Sequence, residues 1–175
     1  MPIGESSVIT IFAPGGIGEV EAGTDLATTI LAALDADPRG PLRDGDIIVV
    51  TSKIISKAEG RIEPASRRAE LITSETRRTV ARRGETRIVR THDGLTIAAA
   101  GIDRSNLSSE FILLLPRDPD GSAAALRERL ASATGLGLGV IISDTAGRPW
   151  RIGQTDHAIG VSGVRVFEDY AGVRD

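Results

Sequence analysis

Leu138-Gly139-Val140-Ile141-Ile142 is a short apolar run that breaks off into Ser143-Asp144-Thr145-Ala146-Gly147-Arg148-Pro149-Trp150-Arg151. At this length, with glycine beside it, such a run is a buried strand, which commits the chain to a sheet. Gly153-Gln154-Thr155-Asp156 follows at once, so a carboxylate, hydroxyls, two guanidiniums and an indole emerge together at one strand end. That mixture suits a metal-bound phosphate, with Asp144 as a hard oxygen ligand, Thr145 as a second oxygen, and Arg148 and Arg151 as anion clamps. It equally describes a polar loop with a tight glycine turn and surface arginines.

The 175 residues suffice for one domain with a substantial core. With 21 basic against 24 acidic residues, no global charge draws the chain to nucleic acid or to an anionic membrane. Aromatic residues are too sparse for a single-strand stacking platform. The absence of cysteine excludes disulfides, thiolate zinc sites and a cysteine nucleophile, and two histidines are too few for a multi-histidine metal site. Any metal is therefore expected to be a hard cation such as Mg²⁺ or Mn²⁺. The apolar runs are far too short to span a membrane and the N-terminus lacks a signal pattern, so a soluble, cytoplasmic protein is expected.

Val8 to Phe12 reads as a first strand, ended by Pro14-Gly15-Gly16. Thr24 is the expected cap of a helix with Leu26, Ile30 and Leu34 on one face. Ile47 to Val50 reads as a buried strand running into Thr51-Ser52-Lys53. Ser66 to Arg83 has helical propensity and carries Arg67, Arg68, Arg77, Arg78, Arg82 and Arg83, as a solvated face or as a contact for an anion. Asp93-Gly94 between two strand-like runs signals a hairpin. Phe111 to Leu115 is a further strand, Asp120 a cap for a helix that Gly135 ends, and Val161 to Phe167 a last strand. Strands and helices mix without a strict βαβ rhythm, so the expected class is α+β, with the sheet order open.

Four segments share an oxygen-and-cation chemistry. They are the flexible loop Gly16-Ile17-Gly18-Glu19-Val20, the stretch Thr51-Ser52-Lys53 with Ser56-Lys57, the stretch Gly101-Ile102-Asp103-Arg104-Ser105-Asn106, and the Asp144 segment. Two carboxylates such as Asp103 and Asp144 brought close repel by about 4 kcal/mol at an effective dielectric near 20, which a bound dication would more than reverse. Such a site would polarise and position a phosphoryl group. The plainer readings are solvated lysines at Lys53 and Lys57, and turn residues bonding their own backbone at Asp103 and Asn106. Neither GxxxxGK[ST] nor GxGxxG is satisfied. His157 reads as a surface residue, His92 as structural, and Trp150 as core or as a site edge.

The segment from Gly45 to Arg61, the stretch Ala100-Gly101-Ile102-Asp103-Arg104-Ser105-Asn106, and the block from Ser143 to Gly163 resemble, in that order, the signature of the coenzyme F-420-0:L-glutamate ligase family. The resemblance runs from the loop at Gly16 to Gly172 and implies a mixed or antiparallel sheet with flanking helices in a single ligase-like domain over residues 1–175. It implies GTP-dependent attachment of L-glutamate to coenzyme F-420-0 through an acyl phosphate, with release of GDP and phosphate. Ile17, Gly18, Glu19 and Val20 would line the nucleotide loop, and Ser52, Lys57 and Asn106 would hold GTP. Asp103 and Asp144 would coordinate one divalent cation and Thr145 a second, with Asp144 and Arg148 carrying the catalysis. A homodimer is implied, with no nucleic-acid or membrane partner. Several positions depart from the family pattern. Gly18 stands where proline is usual, Thr24 replaces an acidic residue, and the stretch from Ala65 to Arg68 is shortened. The family's chains also run on beyond the position of Asp175. Two alternatives to the ligase are a shortened, non-catalytic nucleotide-binding or assembly module and a related ligase acting on another carboxylate.

Overall fold

The computed structural model describes residues 8–104, 108–147 and 152–172. In chain order the elements are α1 (Leu26–Asp35), β1 (Ile47–Thr51), α2 (Ser52–Ala58), β2 (Ile62–Pro64), α3 (Arg68–Ser74), β3 (Thr76–Arg83), β4 (Thr86–Thr91), β5 (Thr96–Ala98), β6 (Phe111–Leu113), α4 (Pro119–Thr134), β7 (Gly139–Gly147) and β8 (Gln154–Ser162). They build three sheets, ordered β1-β7-β8, β2-β6 and β3-β4-β5. The first is mixed, because β1 runs parallel to β7 while β8 returns antiparallel beside it; the other two are antiparallel. The α+β class with mixed and antiparallel sheets and helices is therefore borne out.

Helix α1 forms because Leu26, Ala27, Ile30, Ala33 and Leu34 recur on one stripe, and that stripe is buried. Its cap is Asp25 rather than Thr24: the carboxylate accepts from the Thr28 N–H at 3.2 Å and the Thr28 hydroxyl at 2.8 Å. Thr24 instead accepts from the Glu21 N–H at 3.0 Å. Helix α4 is capped two residues earlier than expected, by Asp118 with Pro119 in the first turn, and ends on Gly135 with φ 73°. Asp120, the expected cap, accepts from the Val161 N–H at 2.8 Å and so ties α4 to β8.

The main core lies between α1, α4 and the first sheet, with Leu130, Val140 and Ile142 fully buried beside Ile30 and Val50. Each of these side chains contributes roughly 1.5–3 kcal/mol by leaving water. A second cluster under α3 gathers Leu71, Ile72, Ile102, Ile112 and Leu114.

Three sequence expectations are corrected. Val8 to Phe12 pairs with no strand among the described residues, and Val8, Ile9 and Ile11 stay exposed. Phe12 is held instead beneath the Arg39 guanidinium, 4.7 Å from its ring centre. The helix foreseen from Ser66 to Arg83 stops at Ser74, and the rest becomes β3. Pairing with β4 through the tight turn at Gly84-Glu85 overrides the arginines' helical preference. The last strand covers Gln154–Ser162 rather than Val161 to Phe167, because β7 pairs the polar stretch in full.

Candidate active site

Strands β1 and β7 are parallel and in register, so Thr51 lies beside Ser143 and the next residue of each, Ser52 and Asp144, emerges at the same sheet end. Pockets of open α/β sheets form outside the carboxyl ends of parallel strands for this reason. The buried Ser52 Oγ donates to Asp144 Oδ1 at 2.7 Å. Oδ2 of Asp144 carries no hydrogen bond among the described residues.

The next residue, Lys53, forms an ion pair through Nζ with the Asp103 carboxylate, both side chains half-buried. Asp103 is fixed from behind, exchanging both backbone hydrogen bonds with Leu113 of β6 at 2.8 and 2.9 Å. The chain reaches it through three successive left-handed residues, Ala99, Ala100 and Gly101, at φ 50°, 56° and 73°. Two of these are alanines, so backbone strain is held next to a candidate functional residue. Gly101 is required on a second ground: a Cβ there would lie 2.5 Å from Leu115 Cδ1.

One turn further along α2, the buried Lys57 makes an ion pair with Glu19. Glu19, Ile17 and Gly18 are exposed in the loop before α1, whereas the Val20 side chain packs in the main core. Val20 therefore offers the loop its backbone alone. Thr145 Oγ1 donates to Asp156 Oδ1 across the β7–β8 pairing, and Ser143 Oγ reaches the other oxygen of Asp156 at 3.5 Å. Asn106 and Arg148, both expected at the site, lie outside the described residues.

Helix α2 thus presents Ser52, Lys53 and Lys57 to three carboxylates from three other parts of the chain: Asp144, Asp103 and Glu19. Sequence reading selected Ser52, Lys57, Asp103, Asp144 and Thr145 but passed over Asp156. Its signal was positional. In the β7–β8 register Gln154 pairs with Gly147, and Asp156 falls opposite Thr145.

The donor set fits a hard divalent cation. Among the described residues no three His, Cys, Asp or Glu side chains gather. What the site offers is two aspartates and hydroxyls, the sparse oxygen set typical of Mg²⁺ shared with a phosphate ligand rather than of a closed protein cage. A groove of about 530 Å³ between α1, α2 and α4 contains none of these residues. Of its rim charges, Arg129 pairs with Asp25, Glu59 accepts from the Arg117 N–H and the Ser122 hydroxyl, and Asp118 caps α4.

Known proteins match this chain over nearly its whole length. The family model described as F420-0:Gamma-glutamyl ligase matches residues 16–175. The Coenzyme F420:L-glutamate ligase of Archaeoglobus fulgidus is 37% identical over 185 residues, covering 95% of this chain and 72% of its own length. Its counterpart in Methanothermobacter thermautotrophicus is 38% identical, covering 95% and 73% respectively. That of Halorubrum lacusprofundi is 36% identical, covering 94% and 71%. With the ordered site segments falling inside the matched span, the chain belongs to the F420-0:gamma-glutamyl ligase family.

Proposed function

We propose that this protein attaches L-glutamate to a carboxylate of coenzyme F-420-0 at the expense of GTP. The observation that carries the reading is the convergence of Asp144 and Asp103 on consecutive residues of α2, with the buried Lys57 ammonium one turn away. The acceptor carboxylate oxygen attacks the γ-phosphorus, the bond to the β,γ-bridging oxygen breaks, and GDP leaves. The glutamate amine then attacks the carbonyl carbon of the acyl phosphate, phosphate departs, and the amine gives up a proton as the amide forms.

One divalent cation at Asp103 and Asp144, and a second reached by Thr145, would neutralise phosphate oxygens. Because Ser52 donates to Asp144 Oδ1, that carboxylate is held in one orientation with its second oxygen available. The Thr145 proton points at Asp156, so the lone pairs of Thr145 Oγ1 are left for a cation. Lys57, buried and positive, suits a phosphate oxygen, while Ile17, Gly18, Glu19 and the Val20 backbone would line the nucleotide loop that Glu19 ties to Lys57. The reading includes Arg148 as an anion clamp, Asn106 as a nucleotide contact, and a homodimer as the working assembly.

Mass spectrometry of a reaction with coenzyme F-420-0, L-glutamate, GTP and Mn²⁺ tests the reading. Glutamylated product is expected from the native chain, with a loss of at least about a hundredfold in Asp144→Ala. A folded native chain that makes no product yet binds GTP would establish the non-catalytic nucleotide-binding module instead.

A further inference from the structure

Six arginines stand on one hairpin: Arg77, Arg78, Arg82 and Arg83 on β3, Arg87 and Arg90 on β4, with Glu85 the single carboxylate between Thr76 and Thr91. All but Arg87 are exposed, and β3 is an edge strand open to solvent along nearly its whole length. The register sets Arg78 opposite Arg90 and Arg82 opposite Arg87. Like charges directly across a ladder destabilise it.

Nothing among the described residues offsets them. Among the described residues none of the six meets a carboxylate: Arg82 donates to the Gly84 carbonyl at 3.2 Å, and Arg87 to Thr73 Oγ1 at 3.3 Å and the Ala69 carbonyl at 3.4 Å. Elsewhere Arg39, Arg61, Arg67 and Arg129 each have an acidic partner. A charged edge does discourage strand-to-strand aggregation. That purpose needs neither a single sign nor opposed pairs. In a chain of net charge −3, the excess of cation is local and built at an energetic cost.

We propose that this arginine ribbon docks an acidic chain of γ-linked glutamates, the product that repeated rounds of the ligation proposed above would build, and the assignment rests on that reading. Each γ-linkage leaves an α-carboxylate free, so such a chain presents carboxylates at regular intervals to guanidinium forks. The ribbon is continuous with the site, since β4 pairs with β5 and β5 runs through the left-handed turn into Asp103. Single-stranded nucleic acid fits less well, because no aromatic side chain lies between Thr76 and Thr91 for a base to stack on.

Fluorescence anisotropy with a labelled γ-linked pentaglutamate tests the proposal directly, against a single-stranded oligonucleotide of matched charge. The native chain should bind the pentaglutamate more tightly than the oligonucleotide. Arg78→Gln/Arg90→Gln and, separately, Arg82→Gln/Arg83→Gln should each weaken binding by about tenfold or more. Both variants should melt no lower than the native chain, because repulsion is relieved. Salt titration of the native protein gives a second readout that needs no variant. Absent binding, equal binding of the oligonucleotide, unchanged affinity in both variants, or affinity insensitive to salt would each overturn it. Attachment of the first glutamate is assayed in parallel. Pentaglutamate binding by a chain that ligates nothing sustains the docking surface and removes the ligase, whereas ligation without binding does the reverse.

Discussion

Lys57 and Glu19 form an ion pair whose two ends live in different surroundings: the lysine side chain is 8% exposed and the glutamate 74%. Removing one partner is therefore not equivalent to removing the other. Lys57→Met leaves a solvated carboxylate and places an apolar chain where the stem already packs, so stability should hardly change while nucleotide affinity falls. Glu19→Gln leaves a buried ammonium without its counter-ion and should cost about 1–3 kcal/mol in urea unfolding. If the two variants unfold at the same midpoint, burial is not what governs this pair. Asp37 gives a pH-dependent case. Side-chain and then backbone hydrogen bonds from Arg39 lower its carboxyl from 3.8 to about 2. A depressed carboxyl stabilises the fold above its unfolded value and loses that contribution as pH falls through about 2. An NMR titration should therefore find Asp37 titrating well below 3.8, with Arg39→Ala returning it toward that value. Residue chemistry was legible here where the side chain itself was unusual for its setting, as with Asp144 after an apolar strand. The partner of each charge was not, because Glu19 and Lys57 lie 38 positions apart and only packing joins them.

Elements were legible where pattern and packing agree. The stripe of α1, the Asp93-Gly94 hairpin and the strand at Phe111 follow from local sequence. Strand β3 does not: its arginines favour helix and its one strand neighbour among the described residues is β4, so tertiary pairing decides. Val8 to Phe12 fails in the opposite direction, with good strand residues and no neighbour to pair with among those described. Close packing between elements also turns on single atoms. Strand β8 passes so near the start of α4 that a Cβ on Gly160 would sit 2.3 Å from the Pro119 carbonyl oxygen. Because that neighbour is backbone rather than a flexible tip, Gly160→Ala should destabilise by about 1–3 kcal/mol in thermal or urea unfolding. An unchanged melting point would mean that α4 and β8 can part at no cost.

For the whole molecule, the α+β class could be read from the mixture of elements, but the sheet order could not, since no local signal pairs residue 47 with residue 139. That parallel pairing has a consequence for how the protein is made. Ser52 and Asp144 are 92 positions apart, and closing a loop of that length costs roughly 4 kcal/mol of chain entropy before any contact repays it. During synthesis β1 and α2 leave the ribosome long before β7 exists. The growing chain thus carries Ser52 through 92 positions of elongation before Asp144 appears, whereas Lys57 has Glu19 already behind it and Lys53 gains Asp103 on the way. The Ser52–Asp144 part of the site is assembled late, at the step that joins β1 to β7, and a chain arrested before Gly139 has the lysine pairs with Glu19 and Asp103 but neither β7 nor Asp144.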